Sequence, residues 1–117
     1  MNHLVIKEHK SNYPDPITLE KGERVLVGKK YDGKEDWLNW RYCYRLDNSQ
    51  EGWIPEQILN ISSEYGVLKE DYTARELTIK KGKRVKGINE LNGWIWCRDM
   101  KGREGWIPKL NLKNLES

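Results

Sequence analysis

The sequence predicts an all-β protein made of two small five-stranded β-barrels in tandem, and three observations carry the prediction. Segments recur in the same order along the 117 residues, apolar positions alternate with period two, and no stretch shows a capped helical stripe. The recurrence sets the domain count. Lys21-Gly22-Glu23-Arg24-Val25 is echoed by Lys81-Gly82-Lys83-Arg84-Val85 at an offset of 60, and Trp40-Arg41-Tyr42-Cys43 by Trp94-Ile95-Trp96-Cys97 at 54. Glu51-Gly52-Trp53-Ile54-Pro55 returns unchanged as Glu104-Gly105-Trp106-Ile107-Pro108 at 53, and Val5-Ile6-Lys7-Glu8 is matched to Val67-Leu68-Lys69-Glu70 at 62. The shrinking offset gives the first copy six extra residues between Val25 and Trp40 and one more before Trp53. Two units follow, residues 1–61 and 65–117, joined by the polar link Ser62-Ser63-Glu64. Two copies are too few for a solenoid, so each unit is expected to close around its own core.

The elements follow in order from alternation and turn chemistry. Ile17-Thr18-Leu19 and Leu77-Thr78-Ile79 alternate apolar and polar, and a Lys-Gly turn then leads into Arg24-Val25-Leu26-Val27 and Arg84-Val85-Lys86. Asp32-Gly33, Asn92-Gly93 and Lys101-Gly102 mark further turns, and about five short strands per unit result. A small barrel or an orthogonal sandwich removes the exposed edges of an open sheet.

Composition excludes several function classes. A mean hydropathy of −0.91 with 33% charged residues would fit disorder, but six Trp and six Tyr do not. No apolar run approaches the roughly 20 residues of a spanning helix, and Met1–Lys10 lacks the features of a secretory signal. A cytoplasmic, monomeric protein without membrane contact is expected. Cys43 and Cys97 occupy one repeat position on the face opposite the tryptophans, which predicts two separate core thiols and no disulfide. His3 and His9 have no metal-ligand spacing, and no nucleophile with its base or phosphate-cradling loop is present. The expectation is a non-enzymatic chain with no cofactor and no metal.

The segment Glu76-Leu77-Thr78-Ile79-Lys80-Lys81-Gly82, followed by a Trp-bearing strand and Gly102-Arg103-Glu104-Gly105-Trp106-Ile107-Pro108, resembles the Src-homology-3 (SH3) domain, in particular the bacterial variant SH3 domains. The resemblance covers nearly the whole chain, twice. It implies five-stranded barrels with an RT loop before Ile17 or Leu77, an n-Src loop before Trp40 or Trp94, and a distal hairpin near Asn48 or Lys101. It also implies a ligand groove. Trp40 and Trp94 match the groove tryptophan, Pro55 and Pro108 the groove proline, and Trp53 and Trp106 the aromatic two residues earlier. The family's tyrosine after that proline falls on Ile58 and Asn111. Its paired N-terminal tyrosines fall near Lys7 and His9 in the first copy and near Glu70 and Tyr72 in the second, so Tyr72 alone is retained. The resemblance therefore implies a Trp-lined surface for a protein or peptide segment, with fewer proline slots than the family norm.

Charge adds two alternatives. Residues through Ile61 carry nine Lys/Arg against ten Asp/Glu, and the remainder twelve against eight. The basic second copy, with Lys80, Lys81, Lys83, Arg84 and Lys86, could read nucleic acid through phosphate attraction and base stacking. Asp32, Glu35 and Asp36 in the first copy could instead select a basic peptide. Cell-wall peptide binding, as in bacterial SH3-like domains, is a third reading. Protein or peptide binding is the leading one.

Overall fold

The computed structural model describes residues 2–11, 15–31 and 39–115, and among these it is all-β apart from two 3-10 turns, Glu56–Ile58 and Lys109–Asn111. No helix among the described residues is long and apolar enough to cross a membrane. The strands are β1 (Asn2–Val5), β2 (Thr18–Leu19), β3 (Arg24–Lys30), β4 (Trp40–Arg45), β5 (Glu51–Pro55) and β6 (Leu59–Ser62). They are followed by β7 (Tyr65–Leu68), β8 (Tyr72–Thr73), β9 (Arg84–Leu91), β10 (Trp94–Asp99), β11 (Glu104–Pro108) and β12 (Leu112–Asn114). One five-stranded sheet runs β5-β4-β3-β7-β6 and the other β11-β10-β9-β1-β12.

Those two orders show what the sequence repeat concealed. The repeat makes β3, β4, β5 and β6 equivalent to β9, β10, β11 and β12. The sheets can therefore correspond only if β7 stands in the first for β1 in the second. Each N-terminal strand has been exchanged: β1, from the first copy, pairs with β9 and β12 of the second, while β7, from the second, pairs with β3 and β6 of the first. The chain accordingly divides into compact units of residues 15–74 and of 1–14 with 75–117, so that each compact unit draws on both sequence copies, 1–61 and 65–117. Ser62-Ser63-Glu64, expected to join two barrels, instead closes the β6–β7 hairpin inside one unit, with Ser62 opposite Tyr65 and Ser63 at φ 60°.

The exchange also corrects the register of the fourth echo. Val5 lies opposite Leu112 and Leu68 opposite Leu59, so Val5 corresponds to Leu68 at an offset of 63, one more than the sequence match suggested. Burial agrees. Val5 and Leu68 are 1% and 2% exposed, whereas Ile6 and Val67 are 43% and 37% exposed. The same offset recurs in backbone bonds: Val5 N–H donates to Lys83 and Leu68 N–H to Glu23, both at 2.9 Å.

Each unit has its own core. In that of 1–14 with 75–117, Val5 joins Leu77, Ile79, Val85, Ile95, Cys97, Ile107 and Leu112. In that of 15–74, Ile17, Leu19, Val25, Cys43, Ile54 and Leu68 are all buried. The Lys-Gly turns place Gly22 and Gly82 at φ 90° and 93°, a region that costs residues with a Cβ. The expected strand at Leu77–Ile79 is reduced to isolated bridges, Glu76 to Trp106 and His9 to Ile79, while its counterpart forms β2 against β8. Distal hairpins join β4 to β5 and β10 to β11. The expected turn Asp32-Gly33, with Glu35, Asp36 and Trp37, lies outside the described residues.

Candidate ligand-binding groove

Strand alternation sets the two faces of each β4-type strand. Cys43 and Cys97 point inward and are fully buried, and burial pushes both thiols up to about 12. The aromatics point the other way, as expected from the sequence.

In the unit of 15–74 the register brings Trp40 opposite Pro55 and Tyr42 opposite Trp53. Trp53 is the hub of an edge-to-face cluster, with Tyr42 at 5.0 Å and Tyr31 at 5.3 Å between ring centroids. The Tyr42 hydroxyl donates to Glu51 at 2.6 Å, and Lys29 Nζ stands 5.9 Å from the Trp53 ring. Tyr72 reaches this groove, not the one built on its own repeat: β8 pairs with β2, and the Tyr72 hydroxyl donates to the Trp53 carbonyl at 3.0 Å. Trp40, Trp53, Pro55 and Tyr72 thus gather around the end of β5. Trp40 and Tyr72 are 8% and 7% exposed, and Pro55 is fully buried. The Trp40 indole N–H is buried with no acceptor among the described residues.

In the unit of 1–14 with 75–117, Trp94 lies opposite Pro108 and Trp96 opposite Trp106, the latter rings 5.3 Å apart. The place that Tyr72 holds in the other unit is taken by His9, since His9 bridges Ile79 as Tyr72 pairs with Leu19. His9 Nε2 is 2.7 Å from Glu76 Oε1, and its ring meets Trp94 edge-on at 5.6 Å. Trp96 donates to Glu104 at 3.1 Å, and Arg98 Nε donates to the same carboxylate at 2.6 Å. Those two bonds, the Arg98 one foremost, hold the Glu104 carboxyl below its usual range. Trp106 is only 8% exposed, and its backbone is tied to the RT segment through Arg75 and Leu77. That approach requires a glycine beside it: a Cβ on Gly105 would come within 2.6 Å of the Leu77 nitrogen.

The residues expected in the groove therefore fall into two sets. Trp40, Trp53, Pro55 and Tyr72 converge in one unit, and Trp94, Trp106 and Pro108 line the other. Contiguous copies would put Tyr72 in the groove of Trp94; the exchange puts it beside Trp53 and brings His9, with Glu76, to Trp94. The 63-residue offset between His9 and Tyr72, both near the family's second N-terminal tyrosine, is the sequence signal of that equivalence. Ile58 and Asn111, at the position of the family's last tyrosine, are buried; the Asn111 side-chain amide donates to the Glu8 carbonyl at 3.2 Å.

The exchange sharpens the charge asymmetry. The unit of 15–74 carries eight Lys/Arg against twelve Asp/Glu, net −4, and the other thirteen against six, net +7. No group of three His, Cys, Asp or Glu side chains that could hold a metal ion occurs among the described residues.

No curated protein matches the chain. Comparison with protein families finds the variant SH3 domain twice, at residues 3–62 and 65–115, following the sequence repeat and crossing the compact units. SH3-type domains are generally non-catalytic modules that bind proteins or peptides. With both copies matched and both barrels formed, the chain belongs to the variant SH3 domain family.

Proposed function

We propose that this protein binds an extended peptide segment in the groove of residues 15–74, against Trp40, Trp53 and Tyr72, with the fully buried Pro55 supporting them. The Trp40 indole supports this most directly. A buried donor left unsatisfied costs about 1–3 kcal/mol, and docking that turns the Trp40 ring outward would let it reach a main-chain carbonyl of the peptide. Around it the surface is aromatic and largely apolar, suited to the flat contacts of a chain that loses little entropy on docking. The net charge of −4 on this unit favours a segment with basic residues. The second groove, with Trp94, Trp106 and Pro108, is the weaker site. Its own His9 ring, anchored by Glu76, already lies against Trp94.

Selection from a displayed random-peptide library, followed by titration into 15N-Trp-labelled protein, tests the reading. The Trp40 indole resonance should move most. Trp40→Phe, which keeps a ring and removes the donor, should weaken binding about 5- to 10-fold, the loss expected for one hydrogen bond. Shifts confined to Trp94 and Trp96, or unaltered affinity in Trp40→Phe, would exclude this groove.

A second reading has its own support. The +7 unit exposes Lys80, Lys81, Lys83, Arg84 and Lys86 together. Oligonucleotide binding there would weaken steeply with salt, and an absence of binding at low salt would remove that reading.

A further inference from the structure

The exchange of β1 and β7 requires an explanation, because homologous strands could equally have stayed with their own copies. We infer that it is written into the sequence by size-complementary residue pairs that fit only in the exchanged arrangement, so that each groove is built from both repeats.

The first pair is His3 with Gly87. His3 on β1 is buried, and its ring lies so close over Gly87 of β9 that a Cβ there would sit 2.7 Å from Nε2 and 2.9 Å from Cδ2. The equivalent positions in the other unit hold the sizes reversed. Gly66 takes the place of His3 and Val27 that of Gly87, and a Cβ on Gly66 would meet Val27 Cγ2 at 3.0 Å and Leu59 Cδ2 at 3.5 Å. Large faces small in both units, with the large residue on opposite strands.

Returning the strands to their own copies would undo both fits. His3 would enter the space that Val27, Leu59 and Ile61 leave only wide enough for a glycine. Gly66 would face Gly87 beside an open cavity of about 280 Å³ that His3, Leu112 and Asn114 now border, enlarging it by a ring. A polar match points the same way. His9 bonds Glu76, a largely buried carboxylate; with the strands returned, His9 would instead meet the repeat position of Glu76 in the other copy, which is Pro16. Overpacking, a void and a broken buried pair all penalise the unexchanged form. Exchange brings Tyr72 to Trp53 and His9 to Trp94, so neither repeat alone carries a complete groove.

Cysteine pairs report which strand lies where. Leu4 and Arg84 are register partners, as are Val67 and Arg24; in the unexchanged form Leu4 would lie opposite Arg24. Under mild oxidation of the 117-residue chain at high dilution, Leu4→Cys with Arg84→Cys should cross-link within one chain, and Leu4→Cys with Arg24→Cys should not. Cys43 and Cys97, buried with raised thiols, do not compete. Transferring the glycine, by Val27→Gly with Gly87→Val, should reverse the two yields. Should that variant fail to fold, His3→Gly with Gly87→Val gives both units a Gly–Val pair of the kind that already packs in one of them. It removes the size preference and leaves only the His9–Glu76 pair to favour exchange, so the 4–24 cross-link, absent from the native chain, should now form beside the 4–84 one. The inference is overturned if the 4–24 pair cross-links in the otherwise native chain, or if the 4–84 pair alone persists in whichever of these variants folds.

Discussion

Replacing Val5 by alanine should loosen the unit holding residues 75–117 and leave the unit of 15–74 intact, although Val5 belongs to the first sequence repeat. Its side chain is 1% exposed and lies in the core with Val85, Ile95, Ile107 and Leu112. The substitution removes the equivalent of two methylenes, about 0.8 kcal/mol each, and leaves a cavity that neighbours fill only in part, for a total of about 2 kcal/mol. At a factor of ten per 1.4 kcal/mol, amides that exchange by opening of this unit should lose protection about 30-fold. Native-state hydrogen exchange followed by NMR reads this residue by residue. Ile95, Cys97 and Ile107 should lose protection, while Cys43 and Ile54 should keep theirs. Leu68→Ala is the mirror case: Leu68 is 2% exposed, and its removal should cost about 3 kcal/mol, felt at Cys43 and Ile54. If Val5→Ala instead releases Cys43 and Ile54, the strand assignment is wrong.

Other consequences follow from the same packing. Gly105→Ala places a Cβ 2.6 Å from the Leu77 backbone nitrogen, whereas Gly52→Ala meets the Ile17 side chain, nearest at Cγ2 at 3.0 Å; the first should cost more in urea unfolding, by about 1–2 kcal/mol on the scale of overpacked cores. Asp99 is partly desolvated, which raises its carboxyl, but the N–H groups of Arg103 and Lys101 and the Arg103 guanidinium outweigh this and hold it below the usual range. Because the folded value lies below the unfolded one, its stabilisation is full above about pH 4 and lost as pH falls further, and Asp99→Asn should flatten the acid limb of the stability profile. Both thiols, pushed to about 12 by burial, should resist alkylation at pH 8 until denaturant opens the barrels; rapid labelling of the native chain would contradict their place in the cores.

Much of this fold is legible in the sequence because local rules agree with it. The Lys-Gly turns need positive φ at Gly22 and Gly82, period-two alternation fixes which face Cys43 and Cys97 share, and both copies of Glu-Gly-Trp-Ile-Pro form a strand paired in the same register with the strand before it. The strand exchange is not legible that way. β1 and β7 satisfy the same backbone bonds in either barrel, so propensity and pattern are silent about which one they enter. Only contacts between residues distant in the chain, such as His3 with Gly87 and Gly66 with Val27, distinguish the two arrangements. The groove suffers the same limit. Trp40, Trp53 and Pro55 are carried on adjacent strands of one copy and could be grouped from sequence, but Tyr72 arrives from the other copy and could be assigned only once the pairing was known.

The exchange makes both grooves composite, and the arrangement of the first strand is therefore the central claim. Val5 bonds Lys83 and Leu68 bonds Glu23, which leaves the neighbouring pairs Leu4–Arg84 and Val67–Arg24 as closely spaced non-hydrogen-bonded partners. A nuclear Overhauser spectrum of the 117-residue chain should show strong Hα–Hα cross-peaks between Leu4 and Arg84 and between Val67 and Arg24. Cross-peaks between Leu4 and Arg24 and between Val67 and Arg84 would contradict it.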